Sequence, residues 1–225
     1  IGQEICRQVA LRQPGRLVML DQCEALLYQA EQDLIAAGAG ALICPVVADV
    51  TDEPRMREVF ARHRPALVLH AAAHKHVPMM EPQPGEALKN NTLGTALVAA
   101  LASEHAAERF VLISTDKAIN PTNVMGASKR LAEMVVQSMQ GRPGNVTRFV
   151  AVRFGNVLGS SGSVIPIFRK QIAAGGPVTV THPEVKRYFM TIPEAVGLVL
   201  QSATLGSGGD ILVLEMGQPL KIIDV

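Results

Sequence analysis

An acidic and a basic side chain stand next to each other in the segment Ser114-Thr115-Asp116-Lys117. This segment closes an apolar run that has the length of a buried strand, and a second amine, Lys129, follows on a segment of helical periodicity. Catalytic groups collect at the carboxyl ends of the strands in open α/β sheets. An acid and an amine held there could give a proton to a substrate and remove one from it. The alternative is a solvated pair of loop residues, which the second lysine disfavours.

Asp21 follows the apolar run Arg16–Leu20 and lies 19 residues after Gly2. At about that spacing a dinucleotide-binding fold places the acid that bonds the adenosine ribose, and such a carboxylate favours NAD over NADP. The alternative role for Asp21 is the N-cap of the helix that follows. Because no strand and glycine turn precede the first helical segment, we expect the first strand of the sheet to be absent from this chain. Gly2 would then be the last glycine of the phosphate-binding turn.

Two further stretches could contact a cofactor. Asp49 and Val50 follow a strand-like run and could hold an adenine edge, although Asp49 could instead cap the next helix. Residues 71–73 are alanines at the end of another predicted strand, and such small side chains let a flat cofactor lie close to the backbone; helix packing is the alternative. The complete set of predicted cofactor-binding residues is Gly2, Asp21, Asp49, Val50, Ala71, Ala72, Ala73, Asn91, Ser114 and Lys129.

Composition and charge exclude several other classes of protein. The 225 residues carry a formal net charge of +1 and no basic run, which argues against a nucleic-acid partner. The three cysteines are widely spaced and indicate reduced thiols rather than a disulfide framework. No metal is expected, because His70, His74 and His76 lack a ligand at a zinc-binding spacing. No apolar run reaches the roughly 18–20 residues of a membrane span, so we expect a cytoplasmic protein.

Apolar runs of strand length alternate with segments of helical period, which predicts a doubly wound parallel α/β sheet of the Rossmann type. The predicted strands are Arg16–Leu20, Leu42–Ala48, Ala66–His70, Arg109–Ser114 and Phe149–Arg153. The predicted helices are Leu26–Ala37, Pro54–His63, Leu93–His105 and Ser128–Gln140. Beyond Arg153 glycine and proline become frequent, and only short strands, Val178–Thr181 and Ile211–Leu214, are expected.

Five ordered motifs resemble those of the CapD-like nucleotide-sugar 4,6-dehydratases, a polysaccharide-biosynthesis branch of the extended short-chain dehydrogenase/reductase superfamily. The motifs are His70-Ala-Ala-Ala-His-Lys-His-Val-Pro, Ser114-Thr-Asp-Lys-Ala, Pro121-Thr-Asn-Val-Met-Gly-Ala-Ser-Lys-Arg, Arg153-Phe-Gly-Asn-Val-Leu-Gly-Ser and Arg187-Tyr-Phe-Met-Thr-Ile-Pro-Glu-Ala. The superfamily pattern Tyr-x-x-x-Lys is not kept, because Met125 precedes Lys129 by four residues. The long dehydratases of this family are similar in having methionine there. Many of those relatives carry upstream membrane helices, so the chain could be the cytoplasmic domain of an inner-membrane protein.

The resemblance implies NAD-dependent (NADP is possible) loss of water from UDP-N-acetylglucosamine, giving a 4-keto-6-deoxy sugar nucleotide. Carried onto this chain, it makes Lys117 the base that removes the C5 proton and Asp116 the acid that protonates the departing C6 hydroxyl. Thr115 would bond the C4 oxygen, Met125 would stand in the tyrosine position, and Lys129 would hold the nicotinamide ribose.

The change in composition after Arg153 predicts a smaller lobe, mainly residues 156–225 and interleaved with the last strands of the sheet, after a dinucleotide-binding domain of residues 1–155. The resemblance implies that this lobe binds the nucleotide sugar, although the glycine-serine segment of Asn156, Ser163 and Val164 could instead be an ordinary flexible loop. Arg187 could pair with a phosphate, or simply with a surface carboxylate such as Glu184. A homo-oligomer formed through the helices 93–105 and 128–140 is expected from the superfamily. The predicted substrate-binding residues are Lys75, Asn156, Ser163, Val164, Arg187 and Glu215.

Two alternatives to dehydration stay open at this point. A sugar-nucleotide epimerase would need the transient ketone at C4 but no acid aimed at C6, so the adjacent Asp116 and Lys117 favour dehydration. A sugar-nucleotide-binding module without turnover would be consistent with the missing tyrosine and the incomplete glycine turn.

Overall fold

The computed structural model describes residues 1–159, 164–180 and 182–224, in which strands and helices alternate as the apolar pattern predicts. The strands are β1 (Leu17–Asp21), β2 (Ile43–Val47), β3 (Leu67–His70), β4 (Arg109–Ile113), β5 (Arg148–Arg153), β6 (Asn156–Val157), β7 (Lys186–Arg187), β8 (Phe189–Met190), β9 (Asp210–Val213) and β10 (Leu220–Lys221). The helices are α1 (Gly2–Ala10), α2 (Glu24–Ala36), α3 (Glu53–His63), α4 (Val77–Met80), α5 (Pro84–Ala87), α6 (Gly94–Glu104), α7 (Val124–Gln140), α8 (Val164–Ala173) and α9 (Ile192–Leu205).

The central sheet is parallel and has the strand order β3-β4-β5-β9, while β1 and β2 form a separate parallel pair. Within the described ranges no strand pairs with both β1 and β3, as expected for a sheet whose first strand is not among these residues. Because β9 joins β5, the part of the chain after residue 155 contributes to the same sheet. Two short pairs complete the strands, β6 with β8 and β7 with β10.

Helices cover both faces of the central sheet, which confirms the doubly wound fold. Phe110 and Leu112 of β4 belong to a core formed with α3, α6 and α7. Their neighbour Val111 points the other way and packs in a second core with Ala195 and Val199 of α9. This alternation follows from the two-residue period of a strand. No helix in the described residues is both long enough and apolar enough to cross a membrane.

One predicted strand is wrong. Val178–Val180, the described part of the predicted strand Val178–Thr181, have no regular structure. The side chain of Gln171 explains the difference, because its amide oxygen accepts from the backbone N–H of Thr179 and its nitrogen donates to the Thr179 hydroxyl. The backbone N–H of Thr179 is thus satisfied by a side chain instead of a neighbouring strand.

We expect Leu101→Ala to lower the free energy of unfolding by about 2–5 kcal/mol, because Leu101 is fully buried in the core beneath α6 and its loss leaves a cavity. Leu205→Ala is the matched control, since Leu205 ends α9 and is 75% exposed. Urea unfolding of both variants measures the difference. Equal losses would contradict this placement of the core.

Candidate active site

The predicted acid and base lie together on a single turn of 3₁₀ helix, Asp116–Ala118, directly after β4. Lys117 Nζ is 3.0 Å from Asp116 Oδ1, and the Thr115 hydroxyl donates to the same oxygen at 2.9 Å. Thr115 also caps the turn, because its Oγ1 accepts from the backbone N–H of Lys117. Both charged side chains keep more than a third of their surface exposed, 39% for Asp116 and 35% for Lys117. The pair can therefore reach a substrate that arrives from solvent.

The turn faces the loop that follows β5. Lys117 Nζ donates to Asn156 Oδ1 at 3.4 Å, which brings a predicted substrate-binding residue to the predicted base. Gly155 leaves room beside the acid, since a Cβ built there would lie 3.3 Å from Asp116 Oδ2 and 3.4 Å from the Cβ of Tyr188. Tyr188 is half-exposed beside this loop and was not among the predicted site residues. Its contact depends on the tertiary fold and has no signal in the local sequence.

Lys129 lies on α7, and its side chain is buried against the end of β4. Its Nζ donates to the carbonyl oxygen of Ile113 at 2.7 Å. Burial lowers the pKa of Lys129 to about 8, and the nearby carboxylate of Glu133 opposes that shift. His70, at the end of β3, is buried close by, and burial together with the charge of Lys129 lowers its pKa to about 3. At neutral pH Lys129 is therefore the cationic group of the two.

Met125 is also buried, in a small apolar cluster with Met80 of α4 and Ala87 of α5. The position that carries tyrosine in the superfamily pattern is thus occupied here by a methionine that packs against apolar side chains. Residue 125 therefore offers no hydroxyl that could exchange a proton with a substrate.

Gly126 brings the first turn of α7 against the backbone of the candidate acid–base turn. A Cβ built on Gly126 would lie 2.3 Å from the carbonyl oxygen of Lys117, closer than any side chain could come. Asn123 caps the helix at the same place by accepting from the backbone N–H of Gly126 at 2.8 Å. The absence of a side chain at residue 126 therefore sets the distance between α7 and Lys117.

The first two predicted cofactor acids follow neighbouring strands, and neither caps the next helix. Asp21 ends β1 and accepts from the backbone N–H of Cys23, which is itself the N-cap of α2. Asp49 follows β2 and accepts from the N–H and the hydroxyl of Thr51, bonds that lower its pKa. The N-cap of α3 is Asp52. The two capping alternatives are therefore wrong, and the cofactor roles stay predictions.

The other predicted cofactor residues lie at the start of α1 and in the segments after β2 and β3. Gly2 begins α1, and a Cβ there would meet no atom within 4 Å. Val50 is buried close to Gly94, the first residue of α6. The alanines 71–73 follow β3 without regular structure, so only methyl groups stand at that strand end. A flat cofactor fits this arrangement, which has acids at the ends of β1 and β2 and tiny side chains after β3.

Asn91 and Ser114 have their polar atoms engaged inside the protein. Asn91 is fully buried on a π-helical segment, Leu88–Leu93, where its amide bonds the backbone of His74 and the hydroxyl of Ser128. Ser114 donates to Glu133 at 2.6 Å. Both residues hold the loops of the site in place, and their contact with a cofactor stays a prediction.

The predicted substrate-binding residues are more widely spread than the acid–base turn. Lys75 and Glu215 are exposed in the loops after β3 and β9, and Arg187 is exposed on β7. Arg187 does not pair with Glu184, whose carboxylate bonds Lys221 instead, so that alternative is wrong. Val164 begins α8, and Ser163 lies outside the described residues. An open cleft of about 560 Å³ lies between β6 and α8, lined by Leu158, Gly159, Ile165, Pro166 and Arg169.

Gly126→Ala should lower the free energy of unfolding by about 1–3 kcal/mol, because the added methyl group must push α7 away from the Lys117 carbonyl. Gly141→Ala is the control at the other end of α7, where the nearest atom to an added Cβ is 3.9 Å away and φ is negative. Hydrogen exchange should increase at amides 115–118 in the first variant alone. A tolerated Gly126→Ala would contradict the close contact.

Lys129→Met should raise the free energy of unfolding at pH 7 by up to about 3 kcal/mol, the cost of holding an ammonium group whose pKa falls from 10.5 to about 8. That cost is present in full below pH 8 and fades between pH 8 and 10.5, because the folded protein then no longer has to hold the charge. The gain should therefore shrink in urea unfolding at pH 10. Lys170→Met, at an exposed position of α8, should show no such trend; a pH-independent gain for Lys129→Met would contradict the buried charge.

The whole chain, residues 1–225, matches the model of a family described as polysaccharide biosynthesis protein. It is 55% identical over 226 residues to the capsular polysaccharide biosynthesis protein CapD of Staphylococcus aureus. That alignment covers 100% of this chain but 38% of CapD, so the chain spans well under half the length of this relative.

Solved structures also match the fold of this chain. The X-ray structure of Pen from Bacillus thuringiensis is 30% identical, with a TM-score of 0.92 over 99% of this chain and 68% of Pen. DesIV from Streptomyces venezuelae, a dTDP-glucose 4,6-dehydratase solved with NAD and DAU bound, has a TM-score of 0.85 over 99% of this chain and 74% of DesIV. At 18% identity DesIV shows the fold alone. The predicted resemblance is confirmed, and the chain belongs to the polysaccharide biosynthesis protein family that includes CapD.

Proposed function

We propose that the natural full-length protein removes water from a UDP-sugar, with UDP-N-acetylglucosamine as the candidate substrate, and forms a 4-keto-6-deoxy sugar nucleotide for a surface polysaccharide. The observation that carries this proposal is the 3.0 Å contact between Lys117 Nζ and Asp116 Oδ1 at the carboxyl end of β4. An elimination needs a base and an acid close together, whereas a simple alcohol oxidation needs one proton acceptor.

NAD is the proposed cofactor, because the acids at the ends of β1 and β2 and the small residues 71–73 suit a dinucleotide along this edge. When bound, it supplies a temporary acceptor for the hydride that leaves C4 of the sugar and returns to C6. Lys129 would hold the nicotinamide ribose and supply a positive charge there. The fold likeness to DesIV, which was solved with NAD, supports this assignment.

The adjacent acid and base account for the proton transfers of the elimination. A proton that moves from Lys117 Nζ to Asp116 Oδ1 along their contact leaves a neutral amine and a neutral carboxylic acid. In this form Lys117 removes the C5 proton, which the C4 ketone acidifies, and Asp116 protonates the C6 hydroxyl as water departs. The elimination returns the pair to the charged form, ammonium and carboxylate. Lys117 would also accept the proton of the C4 hydroxyl when the hydride leaves C4, which forms the ammonium group of the starting pair, and would return a proton to C5 when the hydride reaches C6. Thr115, which already bonds Asp116, orients the C4 oxygen.

The sugar nucleotide is proposed to lie across the loop after β5 and into the cleft beside α8. Asn156 contacts Lys117, so a sugar bonded to Asn156 lies within reach of the base. The cleft of about 560 Å³ has the size of a small-molecule site and presents apolar side chains together with the guanidinium of Arg169. We assign Lys75, Ser163, Val164, Arg187 and Glu215 to the remaining contacts with the substrate.

The protein is proposed to act in the cytoplasm as a homo-oligomer. Apolar side chains are exposed just before α6 and along α7, namely Leu93, Leu131 and Met134. Pairing of these helices with those of a second copy would remove this apolar surface from water.

The test incubates the full-length protein with UDP-N-acetylglucosamine and NAD in D₂O and follows the sugar by mass spectrometry and proton NMR. We expect loss of one water and a new C6 methyl signal. Lys117→Ala should lower this rate by about 100-fold or more and abolish deuterium exchange at C5, because the base is gone. Asp116→Asn should lower dehydration similarly but keep part of the C5 exchange, since Lys117 is retained and can lose its proton to solvent instead of to Asp116.

Arg142→Ala is the control, because Arg142 is exposed in the loop before β5, at the opposite end of that strand from the site. Inversion at C4 without loss of mass would identify an epimerase instead. A sugar nucleotide that binds and is recovered unchanged, without C5 deuterium, would identify a binding module.

A further inference from the structure

Glu133 places a carboxyl group in the interior directly behind the proposed acid–base turn. It lies on α7 one helical turn after Lys129, and its side chain has no exposed surface. Its partners hold its pKa below the usual value against the effect of burial, so it is a buried carboxylate. The proposed reaction does not use this group for proton transfer, because it does not reach the open side of the turn.

Four hydrogen bonds converge on this carboxylate from three elements. Oε1 accepts from the Ser114 hydroxyl at 2.6 Å and from Arg153 Nε at 2.8 Å. Oε2 accepts from Arg153 at 2.6 Å and from Arg130 at 3.1 Å. Ser114 directly precedes Thr115, and Arg153 ends β5 three residues before Asn156. One side chain of α7 therefore fastens the end of β4, which leads to the proposed acid–base turn, to the end of β5, which leads to Asn156.

Stability alone does not account for this arrangement. A buried ion pair gains little over apolar side chains of similar volume, because its desolvation cost offsets its attraction. The bidentate bond between Arg153 and Glu133 does fix the direction of both side chains, as a planar guanidinium on a carboxylate does. Glu133 thereby fixes the positions of Ser114 and Arg153, which precede the proposed acid–base turn and the segment that leads to Asn156.

We infer that Glu133 is a positioning residue of the proposed dehydration: it holds the loops after β4 and β5 in register, so that Asp116, Lys117 and Asn156 stay in contact. This inference rests on the proposed function for its kinetic consequences. Its structural half, the fastening of the two strand ends, stands on the three hydrogen bonds from Ser114 and Arg153 alone, since Arg130 lies on α7 itself.

Glu133 has a second effect, on the charge of Lys129. The groups that face this region are Glu133 and Arg130 from α7, Arg153 from β5 and His70 from β3. Glu133 is the acid among them and opposes the loss of the Lys129 proton. Without its charge the pKa of Lys129 falls further. The alkaline limb of the pH–rate profile then moves to lower pH, because Lys129 loses its proton at a lower pH.

The experiment compares Glu133→Gln and the double variant Glu133→Met/Arg153→Met with the full-length wild-type protein. The double variant removes the whole ion pair and should melt at an unchanged or higher temperature. Both variants should nevertheless lose roughly 10- to 100-fold in kcat with little change in KM, because the reacting groups are displaced. Hydrogen exchange should increase at amides 114–118 and 154–157 and stay unchanged in β1 and β2. In Glu133→Gln the alkaline limb should move to lower pH.

Arg130→Gln is the matched control, since it removes the half-exposed partner of Glu133 and should leave kcat and local exchange unchanged. A double variant with the kcat of the wild-type protein would overturn the inference. A double variant that unfolds, or whose amides exchange faster throughout the chain, would also overturn it, because the ion pair would then only support the fold. If the wild-type protein dehydrates no sugar, the proposed function fails. The exchange data still decide whether Glu133 fastens the two loops.

Discussion

The parallel ladder between β4 and β5 continues beyond the ends of both strands, and the site depends on this continuation. The backbone N–H of Ser114 donates to Val152 at 2.7 Å, and that of Asp116 donates to Phe154 at 3.0 Å. The acid–base turn is therefore in register with the loop that carries Gly155 and Asn156. Backbone hydrogen bonds of this kind recur at fixed intervals along a sheet, so the pairing that builds the fold also sets the spacing of the reactive groups.

One face of α7 completes this geometry from the side. Gly126, Lys129 and Glu133 are separated by three and four residues, so they share a helix face. Gly126 lets the helix approach the Lys117 carbonyl, Lys129 bonds the carbonyl of Ile113, and Glu133 bonds Ser114 and Arg153. Each of the three makes a different kind of contact with the same strand ends. A change in the tilt of α7 would disturb all of them together.

The strands β1 to β5 and β9, the helices α2, α3, α6 and α7 and the acid–base turn could be predicted from the sequence, because apolar periodicity and the position of Ser114-Thr115-Asp116-Lys117 are local features. The 14-residue helix α9 was not predicted. The contacts of Glu133 could not, since a glutamate on an amphipathic helix is usually solvated, and its burial depends on Arg153, which lies 20 residues away. The strand predicted at Val178 failed for a similar reason, because the competing partner is the side chain of Gln171. The capping alternatives for Asp21 and Asp49 failed because the N-cap residues of the two helices, Cys23 and Asp52, lie two and three residues after those acids.

The charges buried at this sheet edge are not balanced. Lys129 and Arg153 are two buried or nearly buried cations that face one buried carboxylate, Glu133. Arg130, the remaining partner, is 38% exposed and therefore screened by water. A fold selected for stability alone would place apolar side chains here, since an unbalanced ammonium group is costly to bury. An excess positive charge in a region of low dielectric favours negative charge that develops beside it. In the proposed dehydration the C4 oxygen would gain such charge when the C5 proton is removed, so the buried ammonium group of Lys129 would lower the barrier of the step for which Lys117 is the proposed base.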